Sequence, residues 1–146
     1  MGKSKRAIGS KEGAMKVAEL MVSDVKAVAP DMSVSDAVAL MTEHHISALP
    51  VVDGRSHLLG VLSTTDVLQA TAEATDGRAR EQVFGGPVAD FMTPRPATVT
   101  LETDVKEAAQ QMLYLEVHRL FVEEDGQLVG VISQSDVVRG VATAKI

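Results

Sequence analysis

The sequence lacks cysteine and tryptophan, and aromatic residues make up only 3% of its 146 positions. Without cysteine the chain has no disulfide, no thiol nucleophile and no thiolate metal site. The scarcity of aromatic side chains argues against a surface that stacks nucleobases on exposed rings. A hydrophobic core must therefore be built from aliphatic side chains and the seven methionines.

Long hydrophobic runs are also missing. No apolar stretch approaches the roughly 20 residues that a membrane-spanning helix needs, and the N-terminus shows no hydrophobic segment of a secretory signal. Hydrophobic residues make up 45% and charged residues 23%, a balance typical of folded soluble domains. We therefore expect a cytoplasmic protein without a membrane partner.

Positive charge is concentrated in the first fourteen residues. Their net charge is +3, which leaves −9 for the rest of a chain whose overall charge is −6. The acidic body should repel polyanions, so we do not expect nucleic-acid binding. Residues 1–14 are predicted to form a disordered basic tail, and binding of nucleic acid by that tail is kept as an alternative.

The chain is an internal duplication. The segment Val17–Met21 returns as Val88–Met92 at an offset of 71 residues, and Gly60–Val67 returns as Gly130–Val137 at an offset of 70. Because two repeats are too few for an open solenoid, we expect them to pack face to face with pseudo-twofold symmetry. The predicted divisions are a first domain at 15–75, a linker at 76–87 and a second domain at 88–146.

Each repeat combines a capped helix with a hairpin and a second helix, which predicts a mixed α/β protein of the α+β type. The first helix follows a capping pattern at Ser33 and Asp36, and the second repeat has Asp104 and Glu107 there. Pro50 should place its strand at an edge of the sheet, or the strand should begin only at Pro50. The apolar helix positions are Val34, Ala37, Val38 and Met41, then Val105, Ala108, Ala109 and Met112; the strands are 48–52, 58–62, 120–123 and 128–132.

A Ser-x-x-Asp pattern ends the hairpin in both repeats, as Ser63 with Asp66 and as Ser133 with Asp136. The pattern is typical of a helix cap, in which the serine accepts from backbone N–H groups and the aspartate favours the positive end of the helix dipole. An ionised carboxylate also offers two acceptor oxygens, which match the two donors of a cis-diol. The residues alone leave both roles open, and the two are compatible.

The order of these motifs resembles the CBS domain, and their duplication resembles a CBS pair, or Bateman module. The resemblance rests on Val17–Met21, the capped helix, Ile46–Asp53 and Gly60–Asp66, with their second copies. It implies two β-α-β-β-α repeats, a disc-like homodimer and no required cofactor. It also implies a regulatory module, not an enzyme, that binds AMP, ADP, ATP, NAD or S-adenosylmethionine between the repeats and signals to a partner protein.

The same resemblance assigns roles to individual residues. It implies that Asp66 with Ser63, and Asp136 with Ser133, accept the ribose hydroxyls. Val117-His118-Arg119 resembles a phosphate-binding segment, so Arg119 and His118 should contact the phosphates of the nucleotide held by Asp66. The first repeat has Ser47 and Ala48 at the matching positions, so the Asp136 cleft lacks this arginine. The Asp66 cleft therefore ranks first for a phosphorylated ligand. The remaining predicted wall residues are Lys26, Ile46, Ser47, Ala48, Thr64, Thr65, Ala97, Val117, Gln134 and Ser135.

Plainer interpretations stand beside these. Arg119 is also placed to pair with a neighbouring glutamate, Glu116, Glu123 or Glu124, at the surface. The histidines show no metal-ligand spacing, so no metal is expected, and no nucleophile, base and orienting group can be combined into a catalytic site. The rival function is a ligand-free structural module that acts through dimerisation or docking.

Overall fold

The structure is a computed structural model that describes residues 14–144. The predicted basic tail lies outside these residues except for its last position. The described chain divides into two compact units. The first-repeat unit consists of Lys26–Pro96 with Gly126–Leu128, and the second-repeat unit combines the chain up to Val25 with Ala97–Asp125 and the segment from Val129 onward.

The first-repeat unit contains three helices, one 3-10 turn and a three-stranded antiparallel sheet in the order β1-β2-β3. Helix α2 begins after Ser33, whose hydroxyl accepts a hydrogen bond from the Asp36 N–H at 3.1 Å. The elements are α2 (Val34–His44), β1 (Ala48–Val52), β2 (Leu58–Ser63), α3 (Thr64–Glu73), α4 (Gly77–Gly85), the 3-10 turn Val88–Asp90 and β3 (Thr93–Pro94).

Pro50 lies in the outer strand of this sheet, as predicted. Pro50 lies opposite Val61 of β2, and the Pro50 carbonyl accepts from the Val28 N–H at 3.0 Å on the other side of β1. The N and O atoms of one residue face the same side of a strand, so the N–H that proline lacks would have faced Val28. The first strand of the predicted β-α-β-β-α order is reduced here to one parallel bridge between Val28 and Val51.

The second-repeat unit repeats this plan with a longer first strand. Strand β4 pairs in parallel with β5, and β6 completes a three-stranded sheet. Asp125 and Gly126 turn the hairpin with φ of 54° and 81°, the positive values that a tight hairpin turn requires. The elements are α1 (Val17–Leu20), β4 (Thr98–Thr100), α5 (Val105–Leu115), β5 (Arg119–Glu124), β6 (Gln127–Ser133) and α6 (Gln134–Ala144), with the unit containing β6 from Val129 onward.

Each sheet is joined by the segment that begins the other repeat in sequence. Val22 bridges Val131 in the second-repeat unit, and Thr93 pairs with Val61 in the first-repeat unit. These segments approach so closely that a Cβ at Gly60 would lie 2.8 Å from the Thr93 carbonyl oxygen, and one at Gly130 would lie 3.0 Å from that of Val22. A side chain at either position would force the neighbouring backbone to shift, so glycine suits both.

Both apolar helix stripes face a core, as predicted. Val34, Ala37 and Met41 are buried in the first-repeat unit, and their equivalents on α5 are buried in the second-repeat unit. Each unit has its own cluster of buried aliphatic side chains. These cores are completed from the exchanged segments, which supply Val88 to the first-repeat unit and Val17 to the second-repeat unit.

Two local features differ from expectation. The predicted linker contains helix α4, which begins after Asp76 because that carboxylate accepts from the Ala79 N–H at 2.8 Å. Asp104 occupies the predicted N-cap position of α5, but its side chain makes no cap hydrogen bond there and instead pairs with Lys16 Nζ at 2.8 Å. This contact with Asp104 raises the pKa of Lys16.

Candidate functional site

The first Ser-x-x-Asp motif is a complete capping box at the junction of β2 and α3. The Ser63 N–H donates to Asp66 Oδ2 at 2.8 Å, and the Asp66 N–H donates to Ser63 Oγ at 3.1 Å. These reciprocal bonds satisfy two backbone donors that the start of a helix leaves without partners. They also hold the half-buried Asp66 carboxylate in one orientation.

A residue distant in sequence fixes the other oxygen of this carboxylate. Thr93, on β3, donates from its hydroxyl to Asp66 Oδ1 at 3.0 Å. Pairing of Thr93 with Val61 positions β3 beside the strand that leads to the motif. Asp66 is thus oriented by one backbone and one side-chain donor, neither of which is charged.

The second motif has the same cap but a different third partner. The Ser133 N–H donates to Asp136 Oδ2 at 2.9 Å, and the Asp136 N–H donates to Ser133 Oγ at 3.1 Å. Asp136 Oδ1 accepts from the guanidinium of Arg139, one helical turn along α6, at 2.6 Å. The Asp136 side chain is only 8% exposed, whereas that of Arg139 is 66% exposed.

Some of the residues predicted to line the ligand site lie next to these two caps. The His118 carbonyl accepts from the Gln134 N–H at 2.9 Å, and the Val117 carbonyl accepts from the Gln134 side-chain amide at 3.3 Å. In the first-repeat unit the Ser47 carbonyl accepts from the Thr64 N–H at 2.9 Å. In each unit, the residue just before the first hairpin strand is therefore hydrogen-bonded to the first residue of the helix that follows the Ser-x-x-Asp serine.

The predicted phosphate residues both belong to the second-repeat unit. Arg119 is the half-buried first residue of β5, and the His118 side chain is exposed. Of the other predicted wall residues, Lys26 is exposed and Ala97 packs against the core of the second-repeat unit. Ala48 opens β1, and Ser135 lies in the first turn of α6. Their predicted roles toward a ligand stay predictions.

The first-repeat unit also carries an open, largely apolar pocket of about 590 Å³. Three of the predicted wall residues, Ile46, Thr64 and Thr65, line it, but Ser63 and Asp66 do not. Phe84 of α4 contributes to the lining, and its contribution was missed because that segment reads as a linker. The other lining residues are Val38, Met41, Thr42, Val67, Leu68 and Thr71.

The hairpin turn of the first repeat contains a separate polar cluster. Asp53 Oδ1 accepts from the backbone N–H groups of His57 at 3.0 Å and Arg55 at 2.8 Å, and its Oδ2 lies 3.0 Å from His57 Nδ1. The backbone N–H of His57, followed by that of Arg55, lowers the pKa of Asp53. Among residues 14–144 no group of three or more metal-ligating side chains is found.

Thr93 and Arg139 are the site residues that sequence reasoning missed. Arg139 follows Asp136 by three positions, a spacing that places two helical side chains on one face, so the signal was available. Thr93 gave no local signal because it lies 27 residues from Asp66 and reaches it only through strand pairing.

Within residues 14–144, no helix combines the length and the hydropathy that a membrane span needs.

A family model for the CBS domain matches residues 17–73 and 88–143. The CBS domain-containing protein CBSX1, chloroplastic, of Arabidopsis thaliana is 30% identical over 92% of this chain and 67% of its own length. The crystal structure of CBSX2 in complex with AMP has a TM-score of 0.79 and 33% identity, covering 90% of this chain and 98% of that one. An inosine-5'-monophosphate dehydrogenase of Korarchaeum cryptofilum is 36% identical over 85% of this chain but only 24% of its own length.

Proposed function

Because the chain belongs to the CBS domain family and contains two copies of the domain, we propose that it is a regulatory module that binds an adenosine-containing ligand. AMP is the first candidate, since the similar protein CBSX2 has been crystallised with it. The single observation that carries the proposal is the pre-oriented carboxylate of Asp66, bonded at Oδ2 to Ser63 and at Oδ1 to Thr93.

The ribose diol is the part of the ligand that Asp66 is suited to recognise. A carboxylate oxygen has two acceptor positions, so each oxygen that already accepts one bond retains capacity for another. The hydroxyls of a cis-diol are adjacent donors that match the two oxygens of one carboxylate. Fixing this group in advance lowers the ordering cost of binding. Asp136 with Ser133 supplies a second, equivalent position in sequence.

The phosphate is assigned to Arg119 and His118. A guanidinium keeps its charge at working pH and presents several donors in a plane, which suits a phosphate better than a single ammonium does. The first repeat has Ser47 and Ala48 at the matching positions. The other predicted wall residues would surround the adenine or ribose through backbone and apolar contacts.

Signalling requires that the ligand stabilise one state of the module over another, because a ligand with equal affinity for both states shifts nothing. We propose that the module acts as a homodimer that communicates with a separate protein. Large apolar side chains exposed on α5 and α6 support an interface, among them Leu113 at 74%, Tyr114 at 86% and Val138 at 68%. The cytoplasm is proposed as its location from the sequence composition alone.

The proposal is tested by thermal unfolding with AMP, ADP, ATP, NAD and S-adenosylmethionine, each compared with the ligand-free protein. A ligand present at 100 times its dissociation constant stabilises the fold by about 2.7 kcal/mol, which raises the Tm measurably. The combined variant Asp66→Ala and Asp136→Ala should lose this shift. Asp36→Ala is the matched control, because Asp36 occupies the same position after an N-cap serine in α2.

The rival function, a module that works without a ligand, predicts the opposite pattern. In that case no compound of the panel changes the Tm of the wild-type protein, and the combined variant regulates its partner normally. A shift that survives in the combined variant would also overturn the residue assignment, because it would place the ligand elsewhere.

A further inference from the structure

The two motifs differ at one atom, the Oδ1 oxygen of the aspartate. In the first repeat it accepts from the neutral hydroxyl of Thr93 at 3.0 Å, and in the second it accepts from the charged guanidinium of Arg139 at 2.6 Å. The other oxygen, Oδ2, accepts from the N-cap serine N–H in both motifs. A ligand diol therefore meets one carboxylate that has only neutral donors and one that already forms an ion pair.

The difference originates at two positions of the duplicated sequence. Arg139 is matched in the first repeat by Gln69, which lies three residues after Asp66 in the same way. Thr93 is matched by Val22, which bridges Val131 and has no hydroxyl to offer. Among residues 14–144, the second aspartate thus has no equivalent of the threonine donor, and it has a cation that the first lacks.

Charge and burial both favour retention of the Asp136–Arg139 pair in the absence of a ligand. A charge-assisted hydrogen bond is roughly twice as strong as a neutral one. Asp136 is 8% exposed at its side chain, so the guanidinium also covers an oxygen that would otherwise be desolvated without a charged partner. Arg139 is 66% exposed, and rotation of its side chain into water can uncover the carboxylate.

We propose that Arg139 is a specificity-determining residue that competes with the ribose hydroxyls for Asp136. A diol binds the second motif only when Arg139 is displaced, whereas it joins the neutral partners of Asp66 without breaking an ion pair. The two motifs are consequently filled in order, Asp66 first. This inference rests on the proposed function and adds the residue that makes the two sites unequal.

The test is calorimetry on the full chain with adenosine and with AMP as probes, in an Asp66→Asn background so that only the second motif responds. Removing the competing cation in Arg139→Gln, which copies Gln69, should tighten adenosine binding about three- to fivefold, as expected for an ion pair of at most about 1 kcal/mol. Arg139→Lys keeps a cation near Asp136 and should remain close to the background protein. Circular dichroism melting confirms that each variant is folded.

Three results would overturn the inference. Adenosine affinity that is unchanged or weaker in Arg139→Gln means that Arg139 does not compete. A selective loss of AMP affinity in this variant, with adenosine unaffected, assigns Arg139 to the phosphate instead. Absence of binding by both probes in every protein, including the wild type, rejects the proposed function together with the inference, whereas either of the first two results leaves the proposed function intact.

Discussion

The hydroxyl of Thr93 donates to Asp66 Oδ1 at 3.0 Å, although 27 residues separate the two in sequence. The contact depends on β3, the short strand near the start of the second repeat, which pairs with β2 of the first. A candidate ligand carboxylate of the first repeat is therefore oriented by a segment that belongs to the second repeat in sequence. Movement of that segment would change the site directly.

Replacing Thr93 by valine, the residue at the matching position 22, should weaken AMP binding and reduce stability slightly. The variant keeps the shape of the side chain but removes the donor, and a single hydrogen bond contributes about 0.5–1.5 kcal/mol. Because Thr93 is exposed, the effect on the free energy of unfolding should fall at the lower end. Thr93→Ser retains the hydroxyl and should behave as the wild type in calorimetry. Equal affinities for all three proteins would contradict the orienting role.

Ser63→Ala and Ser133→Ala should each lower the free energy of unfolding by about 1 kcal/mol. Each substitution removes the hydroxyl that accepts from the aspartate N–H at the start of a helix. Urea denaturation gives the difference, and Ser35→Ala, at an exposed position inside α2, is the control. If the cap variants were no less stable than the control, the capping bonds would contribute nothing measurable.

Gly60→Ala should be destabilised by about 1–3 kcal/mol, the usual range for overpacking. The added Cβ would lie 2.6 Å from Met92 Sδ and 2.8 Å from the Thr93 carbonyl oxygen, and only the methionine can move aside. Gly54→Ala is the control because a Cβ there meets nothing within 4 Å. Stability measured by denaturant titration should separate the two variants. Equal stabilities would show that β3 does not approach Gly60 this closely.

Asp53 should make folding stability sensitive to acid. Its pKa is lower in the folded chain than in the unfolded one, chiefly because the His57 backbone N–H donates to it. The stabilisation is complete above the unfolded value of about 3.9 and is lost as the pH falls through the lower folded value. Asp53→Asn should flatten the change of unfolding free energy between about pH 5 and pH 2. A profile with the wild-type slope would argue against this assignment.

The sequence predicted the local parts of this molecule because their causes are local. The Ser63–Asp66 cap joins residues three positions apart, and the stripe at Val34, Ala37 and Met41 follows helical spacing. Duplication of these patterns identified the family, which the comparisons confirm. Helix α4 was missed because its ends, Asp76-Gly77 and Gly85-Gly86, resemble loop signals, although Asp76 also caps the helix.

The remaining parts depend on long-range packing that no short motif contains. Asp104 occupies the N-cap position of α5, but its carboxylate binds Lys16 instead of the helix N–H groups. Lys16 lies 88 residues earlier and reaches Asp104 because α1 packs within the second-repeat unit. Thr93 reaches Asp66 in a comparable way. The role of Arg119 toward the ligand of Asp66 stays a prediction from the sequence, and it is tested by measuring AMP affinity in Asp66→Ala, Arg119→Ala and the combined variant. Additive losses would contradict a shared ligand.

Calorimetric titration of AMP into the full-length wild-type protein tests the central claim most directly. Saturable binding is expected, and it should be lost when Asp66 and Asp136 are both replaced by alanine and persist in Asp36→Ala. No heat of binding at protein concentrations suited to an affinity of tens of micromolar, or equal binding by the wild type and the combined variant, would contradict it.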